Sequence, residues 1–222
     1  MQKLAASIAL LLLTTVGGCG EIAAGLDPGV PGSGVAKSES RAIGAFGKIE
    51  LEGTAAITVT IGEPGPLAIT ADDNLLPLIT TAVQNGCLVI KPERKLSPKT
   101  TVRIQVTTRA IERFHCAGAG EVLLEGVAAP RLDLDAAGAW SLAATGQSDV
   151  LHVTLAGTCR AALDRLAART GTVSAAGASS ARVNVAETLD VNIAGVGSVE
   201  YLGDPQLTKT IAGAGSVRKK GE

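Results

Sequence analysis

The fold is decided by FHCAGAGEV (114–122), LDAAGAWSL (134–142), VTLAGTCRA (153–161), VSAAGASSA (173–181), VNIAGVGSV (191–199) and KTIAGAGSV (209–217), six segments that share one Ala-Gly pair. Successive glycines of this set lie 20, 19, 20, 18 and 18 residues apart. Such a period corresponds to one coil of a β-solenoid, whose coils stack about 4.8 Å apart and place like residues above one another. The repeats therefore predict an all-β chain of stacked coils with about 18–20 residues per repeat.

The residues around each glycine alternate with the period of two that is typical of a strand. Two columns, two and four positions before the glycine, are predicted to face the core: Cys116, Ala136, Leu155, Ala175, Ile193 and Ile211, and Phe114, Leu134, Val153, Val173 and Val191, with Lys209 as a terminal exception. The intervening positions are predicted to face outward. The glycine itself is expected at a corner or bulge, where only glycine adopts the required backbone angles.

The first half of the chain consists of short β-branched runs bounded by Gly, Pro or Asn-Gly, which is the pattern of strands and turns. One apolar segment around Pro77 interrupts them and is expected to form a single helical turn, because proline prevents a longer helix. Residues 161–170, AALDRLAART, have the spacing of a short amphipathic helix as well as that of a strand. The repeat register favours the strand.

The N-terminus has the features of an export signal. Lys3 precedes an apolar run from Leu4 to Leu13, followed by small residues and Cys19. The run is shorter than a membrane-spanning helix requires, and no later stretch approaches that length. The segment VGGC ending at Cys19 resembles the lipobox of bacterial lipoproteins, which implies acylation of this cysteine. The alternative is an ordinary signal peptide with an unrelated cysteine.

These features divide the chain into a signal peptide (1–18), the lipid-acceptor cysteine with a flexible tether rich in Gly, Pro and Ser (19–40), and one domain (41–222). Gly20 stands where resemblance to Gram-negative lipoproteins would require aspartate for retention in the inner membrane. The expected location is therefore the envelope, with membrane anchoring and, in a Gram-negative cell, transfer to the outer membrane.

Composition narrows the classes of function. The 20 basic and 21 acidic residues give a net charge of -1, and aromatic residues make up only 2% of the chain, so nucleic-acid binding is not expected. No HxH or CxxC pair points to a metal, no cofactor is expected, and Asp72 and Asp73 fit turn or cap positions better than a calcium site. Cys87, Cys116 and Cys159 remain after Cys19. A Cys87–Cys116 bridge and three free thiols are both compatible with the sequence.

The chain also resembles the bacterial "putative auto-transporter adhesin, head GIN domain" family. The resemblance covers roughly residues 43–217 and is carried by FGKIELEGTAAITVTIGE, by ADDNLLPLITTAVQNGCLVIKP and by the recurring GAG and GVGSV units. It implies a right-handed β-helix-like fold, export and a role in adhesion. The family provides no motif of functional residues that could be transferred to this chain.

We therefore expect a non-catalytic binding or adhesion module that is attached to a membrane through Cys19 and contacts a surface polysaccharide or protein. A structural envelope protein without external ligand, and a β-helix enzyme acting on polysaccharide, are the alternatives. Candidate contacts are outward-facing polar residues, which also fit a solvated strand face: Asp133, Asp135, His152, Asp190 and Asn192.

Overall fold

The computed structural model describes residues 28–221, so the predicted signal peptide, Cys19 and the first part of the predicted tether lie outside it. The described residues form strands, with no α-helix among them. In chain order the strands are β1 Val30–Pro31, β2 Ala36–Arg41, β3 Lys48–Ile61, β4 Leu67–Asp72, β5 Ile79–Gln84, β6 Cys87–Pro92, β7 Leu96–Ser97, β8 Arg103–Thr108, β9 Arg113–Gly157, β10 Arg160–Leu202 and β11 Gln206–Lys219. The predicted all-β class is confirmed.

Two local predictions are confirmed and one is wrong. A 3-10 turn at Leu76–Leu78 contains Pro77, as expected, and residues 161–170 belong to β10 rather than to a helix. The segment predicted as a flexible tether (19–40) contains β1 and most of β2, which ends at Arg41. β2 pairs antiparallel with β4, and β1 pairs parallel with β7. Both pairings join this segment to distant parts of the chain, which local composition does not reveal.

The main sheet has the order β11-β10-β9-β3-β8-β4-β2, and β6 also pairs with β3. All pairings from β3 to β11 on this path are parallel. Antiparallel strands occur at the other end, where β4 joins β8 to β2 and β5 pairs with β6. The sheet therefore ends in antiparallel strands at β2 and in the parallel strand β11 at its other edge.

The repeats pair in register, glycine beside glycine. Gly177 is the partner of Gly157, and Gly213 is the partner of Gly195. β9 also pairs with β3, where Gly118 lies beside Gly53. Gly53 is thus a seventh member of the glycine column. Sequence comparison missed it because IELEGTAAI has glutamate before the glycine and the next repeat follows after a long insertion of other strands.

The backbone at this column explains the glycines. All seven have positive φ, from +91° at Gly177 to +126° at Gly213. A Cβ on Gly138 would lie 2.0 Å from the carbonyl oxygen of Gly118, and a Cβ on Gly118 would lie 2.1 Å from that of Gly53. Other residues are therefore excluded both by backbone conformation and by the close approach of the next strand. The predicted dependence of this position on glycine is confirmed.

Burial confirms the inward columns except in the last strand. Phe114 and Val191 are fully buried, as are the corresponding residues of the intermediate repeats. Ile211 is 37% exposed, so its predicted core position is wrong. β11 pairs with β10 on one side only, and no further strand of the described chain covers its other side.

The three described cysteines are free thiols. Cys87 and Cys116 lie on opposite sides of β3, opposite Lys48 and Leu51 respectively. Their Cα atoms are two strand spacings apart across the sheet and three residues apart along it, which makes about 14 Å. This is well beyond the ~6.8 Å limit for a disulfide. The hypothesis of a Cys87–Cys116 bridge is therefore wrong. Burial raises the pKa of the Cys116 thiol to about 12, with smaller effects from Cys159 and Asp135.

Candidate functional site

The structure places the five predicted contact residues on one face of β9 and β10. We call this surface the polar face; it is formed by the residues three and five positions before each column glycine. Its members alternate along the strands with buried core residues, and each is at least partly exposed. The alternation that the sequence indicated therefore holds, but the five residues do not form a single cluster.

Asp133 belongs to an ion cluster at one end of the polar face. Its carboxylate lies 2.9 Å from Nε of Arg131 and 3.4 Å from a terminal nitrogen of Arg113. Only 14% of its side chain is exposed. Because both cations already contact it, Asp133 is engaged in holding neighbouring strands together and is less available to a ligand than the sequence suggested.

His152 and Asp190 line a common shallow cleft of about 420 Å³. The remaining polar lining consists of uncharged side chains: Thr170, Thr172, Thr188, Gln206 and Thr208. The partner of His152 is Thr172, and the partner of Asp190 is Thr208. Asn192 donates a hydrogen bond from Nδ2 to Asp190 at 3.2 Å. The cleft therefore combines one carboxylate, one imidazole and several hydroxyl and amide groups, which suits hydrogen bonding to a polar ligand.

Asp72, considered as a calcium ligand, has a structural role instead. Its buried carboxylate accepts backbone hydrogen bonds from Gly34 at 2.8 Å, Lys99 at 2.9 Å and Thr100 at 3.2 Å. Burial by itself would raise the pKa of this carboxyl, but the hydrogen bonds outweigh it and the pKa is lowered. Asp72 thus joins the segment before β2 to the segment before β8.

No group of three or more His, Cys, Asp or Glu side chains within residues 28–221 is arranged to hold a metal ion. Among the same residues no helix has the length and hydropathy needed to cross a bilayer.

A second concave surface was missed at the sequence level. It is a groove of about 710 Å³ formed by the residues one to three positions after the column glycines of five successive repeats. We call it the axial groove, because it crosses the strands. Gly120, Trp140 and Gly197 lie along its floor, and Ser180 and Ser198 stand at its side. The signal in the sequence is the Ala, Thr or Val directly after each glycine of the groove, together with the hydroxyl that often follows two positions later.

Comparison with known proteins agrees with the fold. The model of the family described as "Putative auto-transporter adhesin, head GIN domain" matches residues 45–205. The crystal structure of a putative adhesin from Bacteroides fragilis has a TM-score of 0.66 at 21% identity, and the match covers 86% of this chain and 100% of that one. Two further putative adhesins are similar. The structure from Parabacteroides distasonis has a TM-score of 0.56 at 17% identity, and the match covers 86% of this chain and 100% of that one. The structure from Parabacteroides merdae has a TM-score of 0.55 at 16% identity, with coverages of 86% and 99%. The search of curated proteins gave no match.

Proposed function

The chain belongs to the family of putative auto-transporter adhesins with a head GIN domain, and from this we propose that it is an exported, lipid-anchored module that binds a surface ligand without catalysing a reaction. The observation that carries the binding role is the cleft on the polar face, where His152 and Asp190 meet uncharged hydroxyl and amide groups. Such a set can hold a polar ligand by hydrogen bonds that require no covalent step.

A hydrolytic role has less support from this cleft. Glycoside hydrolysis ordinarily needs a pair of carboxyl groups about 5–9.5 Å apart. The lining contains one carboxylate, Asp190, and Asp133 is engaged with two arginines in another part of the face. We therefore favour binding over catalysis.

The proposed scaffold is a right-handed β-solenoid of about 18–20 residues per coil. Parallel registers with glycine beside glycine support it, as does the close approach of each column glycine to the one before. Right-handedness is expected because parallel crossover connections are overwhelmingly right-handed. Stacked coils of this kind present long regular surfaces that suit extended partners.

The binding role is tested by measuring the binding of the purified protein, without its predicted signal peptide (1–18), to surface polysaccharides, matrix proteins and whole bacterial cells. We expect saturable binding to at least one of them. The double variant His152→Ala/Asp190→Asn should weaken it about tenfold, since it removes the charged and aromatic groups of the cleft. Asp149→Asn, which changes an exposed carboxylate outside the cleft, serves as the control. Absence of binding across the whole panel would contradict the proposal.

Lipid anchoring is tested separately by Cys19→Ala. Acylation contributes about 0.8 kcal/mol per buried methylene, so its loss should move the chain from the membrane fraction to the soluble fraction. Retention of the variant in the membrane fraction would contradict the proposed anchor. It would not affect the proposed binding role, which the binding measurements test separately.

A further inference from the structure

The axial groove has the dimensions of a binding site for a polymer. Its lining comes from five successive repeats, so it extends over four strand spacings, about 19 Å. Its volume of about 710 Å³ falls within the usual range of ligand sites. We propose that the axial groove is a second binding surface, separate from the cleft on the polar face, and that it binds an uncharged, extended polysaccharide strand lying across the stacked strands.

The concave shape follows from the residues after the column glycines. Gly120 and Gly197 provide no side chain at the floor, and a Cβ on Gly120 would lie 1.9 Å from the carbonyl oxygen of Ala55. Trp140 is 2% exposed and donates from Nε1 to the carbonyl of Ala137, so it closes the floor from below. The shape is therefore fixed by close packing and does not require a moving loop.

The groove offers hydroxyl groups from four successive repeats. Ser141, Ser180 and Ser198 lie three positions after their column glycines and Thr158 lies one position after its own, and all four hydroxyl residues line the groove. Each hydroxyl can both donate and accept, which matches the hydroxyl groups of sugars. Between them stand Ala139, Ala178 and the 65% exposed Val196, which suit the apolar C–H face of a sugar ring.

Charge and backbone pairing restrict the ligand further. Glu121 and Arg160 are the charged side chains among the lining residues, and their charges cancel. A polyanion or polycation therefore gains little attraction here. An extended peptide ordinarily adds to a sheet through an unpaired strand edge. The strands under the groove are already paired with their neighbours, which favours a polysaccharide over a peptide.

The test is isothermal titration calorimetry of the exported chain with soluble neutral polysaccharides, a glucan, a mannan and a galactan, and with a sulphated polysaccharide for comparison. We expect saturable binding to a neutral polymer and at least about tenfold weaker binding to the sulphated one. Ala178→Ile/Ser180→Ile fills the groove and removes a hydroxyl, and should weaken binding about tenfold. Gln147→Ile/Ala167→Ile enlarges two exposed, neighbouring side chains outside both the groove and the polar face, and should leave affinity within about twofold.

Three outcomes would overturn the assignment. Binding that is lost in His152→Ala/Asp190→Asn but kept in the groove variant places the ligand on the polar face and leaves the proposed function intact. Stronger binding to the sulphated polymer than to any neutral one excludes the ligand class, and this comparison needs no variant. Binding to cells or proteins but to no polysaccharide excludes the groove assignment alone, whereas failure with every partner also removes the proposed function.

Discussion

Single residues hold this structure together where two strands approach most closely. The column glycines combine positive φ with carbonyl oxygens of the preceding repeat at distances that exclude a Cβ. Asp72 has a comparable role at the N-terminal end, where one carboxylate accepts three backbone N–H groups from two separate segments. The glycines could be predicted because they recur in the sequence. The role of Asp72 could not, because its partners are remote in sequence and donate through the backbone, which no side-chain pattern reveals.

Gly138→Ala is expected to lower the free energy of unfolding by more than about 2 kcal/mol, because the new Cβ meets the carbonyl oxygen of Gly118 and the backbone has φ +117°. Urea unfolding measures the change. Gly47→Ala is the matched control, since its Cβ would meet no atom within 4 Å. Equal stability of the two variants would show that the column does not depend on glycine.

Asp72→Asn is expected to reduce stability at neutral pH and to remove part of the acid sensitivity. The folded pKa of Asp72 is lowered, so its contribution is present above the unfolded value of ~3.9 and is lost as the pH falls through the folded value. Unfolding free energies measured from pH 7 to pH 3 should therefore fall more steeply in the wild type than in the variant. If the curves of the wild type and Asp72→Asn were parallel, this role would be contradicted. The control Asp149→Asn changes an exposed carboxylate and should give a curve parallel to that of the wild type.

At the scale of elements, the two ends of the sheet differ. One end finishes in antiparallel strands β4 and β2, whereas the other end is the parallel strand β11, where Ile211 is partly exposed. Lys209 lies opposite Val191, in a column that is otherwise apolar and buried. A charge on the inward side of an edge strand opposes the addition of another strand. The repeat register predicted this column. The N-terminal strands β1 and β2 were not predicted, because their sequences contain no apolar period.

Lys209→Val is therefore expected to promote association of copies through β11, because valine completes the apolar column at an open strand edge. Sedimentation velocity over a range of protein concentrations should show larger species for the variant than for the wild type. Thr208→Val, which adds an apolar side chain on the outward side of the same strand, should change the distribution less. A variant that sediments like the wild type at every concentration would contradict the protective role of Lys209.

For the whole molecule, the sequence was sufficient to predict the β class, the repeat length and the inward and outward faces, because all three follow from periodicity. It was insufficient for the binding surfaces. The polar face separates into an ion cluster at Asp133 and a cleft at Asp190, since neighbouring arginines occupy one carboxylate and leave the other. The axial groove escaped notice because its small residues become meaningful only when the repeats are placed side by side.

Both proposed binding surfaces depend on the stacking of successive coils, and thiol cross-linking tests that stacking most directly. In a Cys87→Ser background, Asn192→Cys/Thr210→Cys places two thiols at paired positions of β10 and β11, about 4.8 Å apart between Cα atoms. A short bifunctional thiol reagent should link them within one chain, as peptide mass spectrometry would show. Thr154→Cys/Thr210→Cys, three spacings or about 14 Å apart, should remain unlinked. Equal linking of both pairs, or of neither, would contradict the stacked-coil account.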